Sequence, residues 1–285
     1  MNPWEKSNKN GFFHRSLIKL REPSALVSPM LAAVLKRDRV IFAFGLAGVA
    51  TLPWTYLIYM HWGMRHMDVG MEMVIMPAMQ NWTAWDLVLV FLMWAVMMLA
   101  MMVPAASPVI LLFAEINRRR NEQQTTFVST AHFLLGYLTA WTGFSVIATL
   151  AQWGLLTAAL VSPMMESTSK ALGGGLLLVA GLFQFSRLKY ACLAHCRSPM
   201  GFLATEWRRG SWGAFRMGLK HGGYCLGCCW ALMALLFVFG VMNLLWVAGL
   251  SALVLLEKVT PANKLVSRLS GLLFIAWAAW IVFGS

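Results

Sequence analysis

Apolar residues run along this chain in long blocks, with polar residues gathered in short clusters between them. Seven blocks reach or approach the ~20 residues that a helix needs to cross a bilayer. They lie at roughly 40–60, 85–114, 129–158, 171–188, 224–241, 243–257 and 265–284. The sixth is short, and only Gly240 to Asn243 separate it from the fifth. A single helix through both would overshoot the hydrocarbon by many turns, so the pattern predicts a tight helical hairpin. The fold class expected is all-α: a polytopic transmembrane bundle of about seven helices.

Composition agrees. Of 285 residues, 59% are hydrophobic and 12% are charged, whereas soluble domains carry roughly 25% charged residues. The net charge of +12 would suggest nucleic acid in a soluble protein. Here the basic residues flank apolar blocks, which points to membrane orientation and to the lipid bilayer, not nucleic acid, as partner. They cluster in residues 1–39, 117–124, 187–221 and 257–264, while 61–83, 159–170 and 241–243 hold almost none. The positive-inside rule therefore predicts a cytoplasmic N-terminus and an outside C-terminus. Residues 1–39 read as a basic cytoplasmic leader without a signal-peptide pattern, with an amphipathic interfacial stretch near 25–36. Residues 40–285 read as the transmembrane domain. Trp54, Trp62, Trp82 and Trp85 read as an aromatic belt at the outer boundary.

The five cysteines share one neighbourhood: Cys192 and Cys196 in "ACLAHCRSP", and Cys225, Cys228 and Cys229 in "HGGYCLGCCW". On the predicted topology both segments face the reducing cytosol, where structural disulfides are disfavoured. Cys192 and Cys196 share a helical face, and His221, Cys225 and Cys229 recur at i, i+4, i+8, with Met233 prolonging the stripe. If the two stripes meet, they offer more than the four ligands of tetrahedral zinc. Thiolates equally suit copper(I) or iron–sulfur chemistry. Gly222, Gly223 and Gly227 are read as letting the backbone turn round an ion. Two alternatives stay open: cysteine as a small buried hydrophobe, and thiol redox chemistry. His195 lies off the shared face and reads as a headgroup contact.

Methionine is the second signal. Twelve of 20 lie between positions 60 and 102. Seven, with His61 and His66, fall in the outer segment 60–80, where thioether and imidazole ligands suit copper(I) or silver(I). Five fall in the second apolar block. Met97 and Met101 share one face, Met98 and Met102 form a parallel row, and Asp86 lies outward of them. The competing readings are core packing for the methionines and a helix-dipole contact for Asp86. Pro104 and Pro108 are expected to kink or loosen this helix. Gln184 is read as bonding a neighbouring helix or lining a path, and Glu257 and Lys258 as pairing with each other at the interface.

"WAVMMLAMMVPAASP" (94–108), "FQFSRLKYACLAHCRSP" (183–199) and "GLKHGGYCLGCCWALMALLFVFGVMN" (218–243), followed by "EK", resemble a bacterial family of predicted metal-binding integral membrane proteins, a domain-of-unknown-function family. The resemblance covers about residues 75–260 and implies that Met97, Met98, Met101, Met102, Cys192, Cys196, His221, Cys225, Cys228 and Cys229 belong to one design. It also implies a multi-pass protein of the bacterial inner membrane.

The function expected is handling or translocation of a soft metal ion between an outer Met/His loop and an inner Cys/His site. Copper is preferred, zinc or iron are alternatives, and a periplasmic or cytoplasmic metal-binding protein is the expected partner. Neither a nucleotide-binding GxxxxGK[ST] nor an HExxH motif occurs in the chain. The alternatives are a membrane-embedded metalloenzyme or thiol redox protein, and an assembly partner or sensor with structural metal.

Overall fold

A computed structural model describes residues 48, 51–59, 83–120, 126–160, 169–241 and 243–284. The leader, most of the first apolar block and the Met/His segment with His61 and His66 lie outside the described residues. Where described, residues 51–59 are helical. Nine helices follow: α1 (Ala84–Arg120), α2 (Thr126–Thr157), α3 (Lys170–Phe183), α4 (Arg187–Arg197), α5 (Pro199–Glu206), α6 (Gly210–Ala234), α7 (Leu236–Phe239), α8 (Leu244–Val259) and α9 (Asn263–Phe283). No strand occurs among the described residues.

Among the described residues, four helical stretches are long and apolar enough to cross a membrane: Ala84–Arg118, Thr130–Thr157, Gly210–Phe239 and Asn263–Phe283. The bent pair α3–α4 makes a fifth if it counts as one span. Their apolar stretches are only partly covered by protein, 28% in the last and 61% in Gly210–Phe239. The remaining apolar surface, including Leu269, Leu272, Leu273 and Trp280, is of the kind that a lipid or protein surface covers. α8 has 16 residues, about 24 Å at 1.5 Å per residue. That falls short of the ~30 Å hydrocarbon thickness.

The segment 187–221, expected as a basic connection with Cys192 and Cys196 on a helical continuation of the fourth block, is helical over most of its length: α4, α5 and the opening turns of α6. Its boundaries have local causes. α3 and α4 meet at 64°, where Ser186 caps α4 by accepting from Lys189 N at 3.1 Å. Pro199 opens α5 at its first turn, where its missing N–H has no helical partner to lose. The hairpin between α7 and α8 forms as expected. Gly240 turns the chain at φ 88°, a conformation that costs glycine little. Asn243 then caps α8 through a 3.2 Å bond from Leu245 N.

α1 stays helical through both prolines. Each proline removes the N–H that would bond the carbonyl four residues back, which frees Ala100 O and Pro104 O. Trp54 Nε1 donates to the first at 2.9 Å, and Ser107 Oγ donates to the second at 2.8 Å. Both backbone groups are thereby satisfied without water. Trp54 is thus a half-buried donor to α1, whereas Trp85 is exposed.

α6 lies at the centre, packed against α2 and α4, while α3 packs on α9 and α1 on α2 and α8. The α2–α6 seam is a small-residue contact of the kind that lets membrane helices touch backbone to backbone. A Cβ on Gly218 would lie 1.9 Å from Phe133 O, and one on Gly136 would lie 2.0 Å from Phe215 O. Gly222 meets Ala140 and Tyr137 in the same way. Gly222, Gly223 and Gly227, read from sequence as a turn around an ion, sit inside a continuous helix; Gly222 serves helix approach, while nothing lies within 4 Å of a Cβ on Gly223.

Candidate metal centre

The tight α2–α6 seam brings the cysteine stripe of α6 into the protein interior. Cys225, Cys228 and Cys229 are all buried. α4 packs on this face and adds Cys196, also buried, beside Cys225 and Cys228. The two cysteine segments therefore meet. Gly227 enables this packing, because a Cβ there would lie 2.8 Å from Cys192 Sγ. Cys192 itself is only partly buried and forms the rim of the cluster.

The thiols differ in their bonding. Cys228 Sγ and Cys229 Sγ donate to Cys225 O at 3.0 and 2.9 Å, the back-bond that short polar side chains make in helices. Cys225 Sγ points the other way and receives two groups from other helices. Lys258 Nζ, at the end of α8, donates to it at 2.9 Å. Tyr137 OH, from α2, lies 3.2 Å from it and also 3.0 Å from Met102 O as a donor. Tyr137 thus ties the methionine row of α1 to the thiols.

His221 lies one turn before Cys225, 2% exposed. Its ring is held among Phe202, Tyr137 and Phe133, with centroids 5.1, 5.9 and 6.3 Å away. Its Nδ1 is buried with no hydrogen-bond partner. An unpaired polar atom in such a place costs about 1–3 kcal/mol, which a ligand on that nitrogen would recover.

Met97, Met98, Met101 and Met102 are all at most 1% exposed, and Met233 is buried with them. Asp86 is remote. It closes a capping box with Thr83: Thr83 N and Oγ1 each donate to Asp86 Oδ2 at 2.8 Å, and Asp86 N donates back to Thr83 Oγ1 at 3.3 Å. Sixteen residues of helix, about 24 Å, separate it from Met102. His195 is exposed and stacks on Tyr224 at 4.2 Å.

Glu257 and Lys258 do not pair with each other. Consecutive residues at the end of a helix point about 100° apart, and each reaches a different helix. Glu257 takes Lys189 Nζ at 2.7 Å, and Lys258 takes Cys225. Gln184 does bond its neighbour: Nε2 donates to Ser270 Oγ of α9 at 3.0 Å.

Among the described residues, no three His, Cys, Asp or Glu side chains surround one point as a ready cation cage. Cys228 and Cys229 donate to backbone, so a cage that included them requires their release from Cys225 O. Without it, the arrangement offers two sulfurs from different helices, one unsatisfied imidazole nitrogen and a fixed positive charge. Soft, low-coordinate ions suit such a donor set.

Sequence reasoning missed Tyr137 and Lys258. A lysine that ends an apolar helix normally snorkels to the interface, and nothing in its own segment shows that α6 lies beneath it.

No curated protein and no solved structure matches this chain. A family model described as PpoB2, copper chaperone, matches residues 91–281, which span the cysteines, His221, Tyr137, Lys258 and the row Met97, Met98, Met101 and Met102. The chain belongs to the PpoB2 copper chaperone family.

Proposed function

We propose that this protein takes copper(I) into the membrane and holds it on Cys196 and Cys225, with His221 as a supporting ligand, for delivery to a metal-binding partner. One observation carries the reading: Cys196 of α4 meets Cys225 and Cys228 of α6 in the buried interior, in a chain of a copper chaperone family. The chemistry of the donors supports it, since thiolate, thioether and imidazole all accept copper(I).

The wider route extends the same reading. On it, the outer segment with His61 and His66 collects the ion. The row Met97, Met98, Met101 and Met102 conducts it along α1, and Tyr137 marks where that row ends at the thiols. Seven helices with the N-terminus in the cytoplasm of a bacterial inner membrane give the direction, supported by the charge asymmetry of the segments between apolar blocks. Asp86 is a helix cap on this reading, and Cys192 is the thiol nearest a docking partner.

The test is bound metal after purification in detergent under anaerobic reducing conditions. Wild type is expected to carry near-stoichiometric copper. Cys196→Ser and the triple Cys225/Cys228/Cys229→Ser are each expected to lose it. A wild type that binds no added copper(I) ends this reading and leaves thiol redox chemistry or plain packing.

A further inference from the structure

Lys258 poses a problem that copper binding alone does not explain. Its side chain is buried, with the residue 9% exposed, and among the described residues no carboxylate lies within ion-pair distance of it. Its neighbour Glu257 is committed to Lys189. The acceptor Lys258 meets is Cys225 Sγ, at 2.9 Å. Its backbone is fixed as well: Arg197 Nε donates to Lys258 O at 3.2 Å, and the same guanidinium donates to Thr260 O at 2.7 Å. A positive charge is thus anchored on one sulfur of the site. Burying a charge is costly unless something opposite meets it.

We propose that Lys258 sets the valence of the cargo: its ammonium makes the Cys196–Cys225 pair a site for a monovalent soft cation and disfavours divalent zinc. The inference rests on the copper reading above and deepens it.

Charge arithmetic carries the argument. Ligation by Cys228 or Cys229 would give up an S–H bond to Cys225 O, so the pair that ligates at least cost is Cys196 and Cys225. Cargo entry replaces their S–H bonds with S–metal bonds. The protons leave, and no electron moves. Two thiolates and one copper(I) carry a net charge of minus one, which the ammonium balances to zero. Two thiolates and one zinc(II) are already neutral, and the ammonium then leaves an uncompensated positive charge. In pairwise terms the ammonium repels a divalent ion twice as strongly as a monovalent one, and the low local dielectric enlarges that difference. A third thiolate would restore balance for zinc, but it would have to break a thiol bond to Cys225 O.

The experiment loads purified wild type, Lys258→Met, Lys258→Gln and Lys258→Arg with an equimolar mixture of copper(I) and zinc(II), under anaerobic reducing conditions. Bound metals are quantified by mass spectrometry. Both neutral variants are expected to raise the bound zinc-to-copper ratio at least about tenfold, and Lys258→Arg is expected to stay near wild type. Structural damage would lower both metals together, and that parallel loss, or an unchanged ratio, overturns the proposal. X-ray absorption on copper-loaded wild type reads the same claim without any variant: two sulfur ligands are expected, and three would overturn it. A wild type that holds neither metal sinks the copper reading itself. A wild type that holds copper while the neutral variants keep its selectivity sinks only the role of Lys258.

Discussion

Two buried polar groupings lie side by side at the C-terminal end of α8, and consecutive residues feed them. Glu257 belongs to a saturated network. Lys189 Nζ donates to its two oxygens at 2.8 and 2.7 Å, and Ser267 Oγ donates at 3.0 Å. Gln184 accepts from Lys189 as well and donates to Ser270 Oγ, which donates to Ser267 O. Each charge has its opposite. Lys258 belongs to an unsaturated grouping, in which an ammonium meets a sulfur and His221 Nδ1 meets nothing. A saturated network has no room for a ligand without losing bonds, so it serves to tie α4, α8 and α9 together. An unsaturated one gains bonds when a ligand arrives. Burial alone does not separate a structural site from a receptive one; the state of hydrogen-bond satisfaction does.

The largest expected effect breaks the saturated side. Glu257→Gln leaves the Lys189 ammonium, which is 0% exposed, without its counter-charge. Removing one partner of a buried pair costs about 3–5 kcal/mol. A matching drop in resistance to denaturant, measured in detergent, is expected, with the copper-to-protein ratio of the folded fraction unchanged. Adding Lys189→Met should recover much of the stability, because the stranded charge goes with it. A Glu257→Gln protein as stable as wild type would show that this network ties nothing. Loss of copper from its folded fraction would show that the two groupings are one.

The next effect tests how the receptive side is held together. Gly218→Ala puts a Cβ at 1.9 Å from Phe133 O, a backbone atom that cannot step aside. α2 and α6 must separate, at about 1–3 kcal/mol, and Tyr137 moves away from Cys225. Lower thermal stability and weaker copper retention are expected together. Gly223→Ala is the control, since nothing lies within 4 Å of a Cβ there, and both properties should hold. A loss of copper in Gly223→Ala would revive the idea that the backbone wraps the ion.

These glycines show what the sequence made legible and what it hid. Apolar blocks are a local signal, so helices near 85–114, 129–158, 243–257 and 265–284 and the turn at Gly240 were readable from the chain. The break after Phe183 was not, because the polar residues there, Gln184, Ser186 and Arg187, read equally as the end of a span and its basic flank. Nor were α5 and the early start of α6 at Gly210, where basic residues masked helix formers. The site was half legible. Cys225, Cys228, Cys229 and His221 lie on one stretch, and their spacing shows one face. The meeting with Cys196 depends on how α4 packs on α6, which no local pattern encodes. Lys258 and Tyr137 enter from helices far away in sequence, and the charge next to Lys258 suggested the wrong partner. Gly222 announced a special backbone requirement, but spacing from Gly218, not proximity to cysteine, was the informative part.

The smallest expected change in stability is the sharpest on function. His221→Leu removes an imidazole whose Nδ1 has no partner and puts an apolar side chain of similar volume among Phe133, Tyr137 and Phe202. For the metal-free protein, the loss of ring contacts and the removal of an unpaired buried nitrogen act in opposite directions. Relief of an unsatisfied group contributes about 1–3 kcal/mol, so the balance is expected near zero or slightly stabilising. Copper retention should move the other way, falling about tenfold in a chelator competition, the ~1.4 kcal/mol worth of one supporting ligand. Opposite signs in the two measurements would identify His221 as a residue kept for its ligand at the expense of the fold. A stability loss of 2 kcal/mol or more, with copper retention unchanged, would instead place His221 with Glu257, as packing whose bonds are already complete.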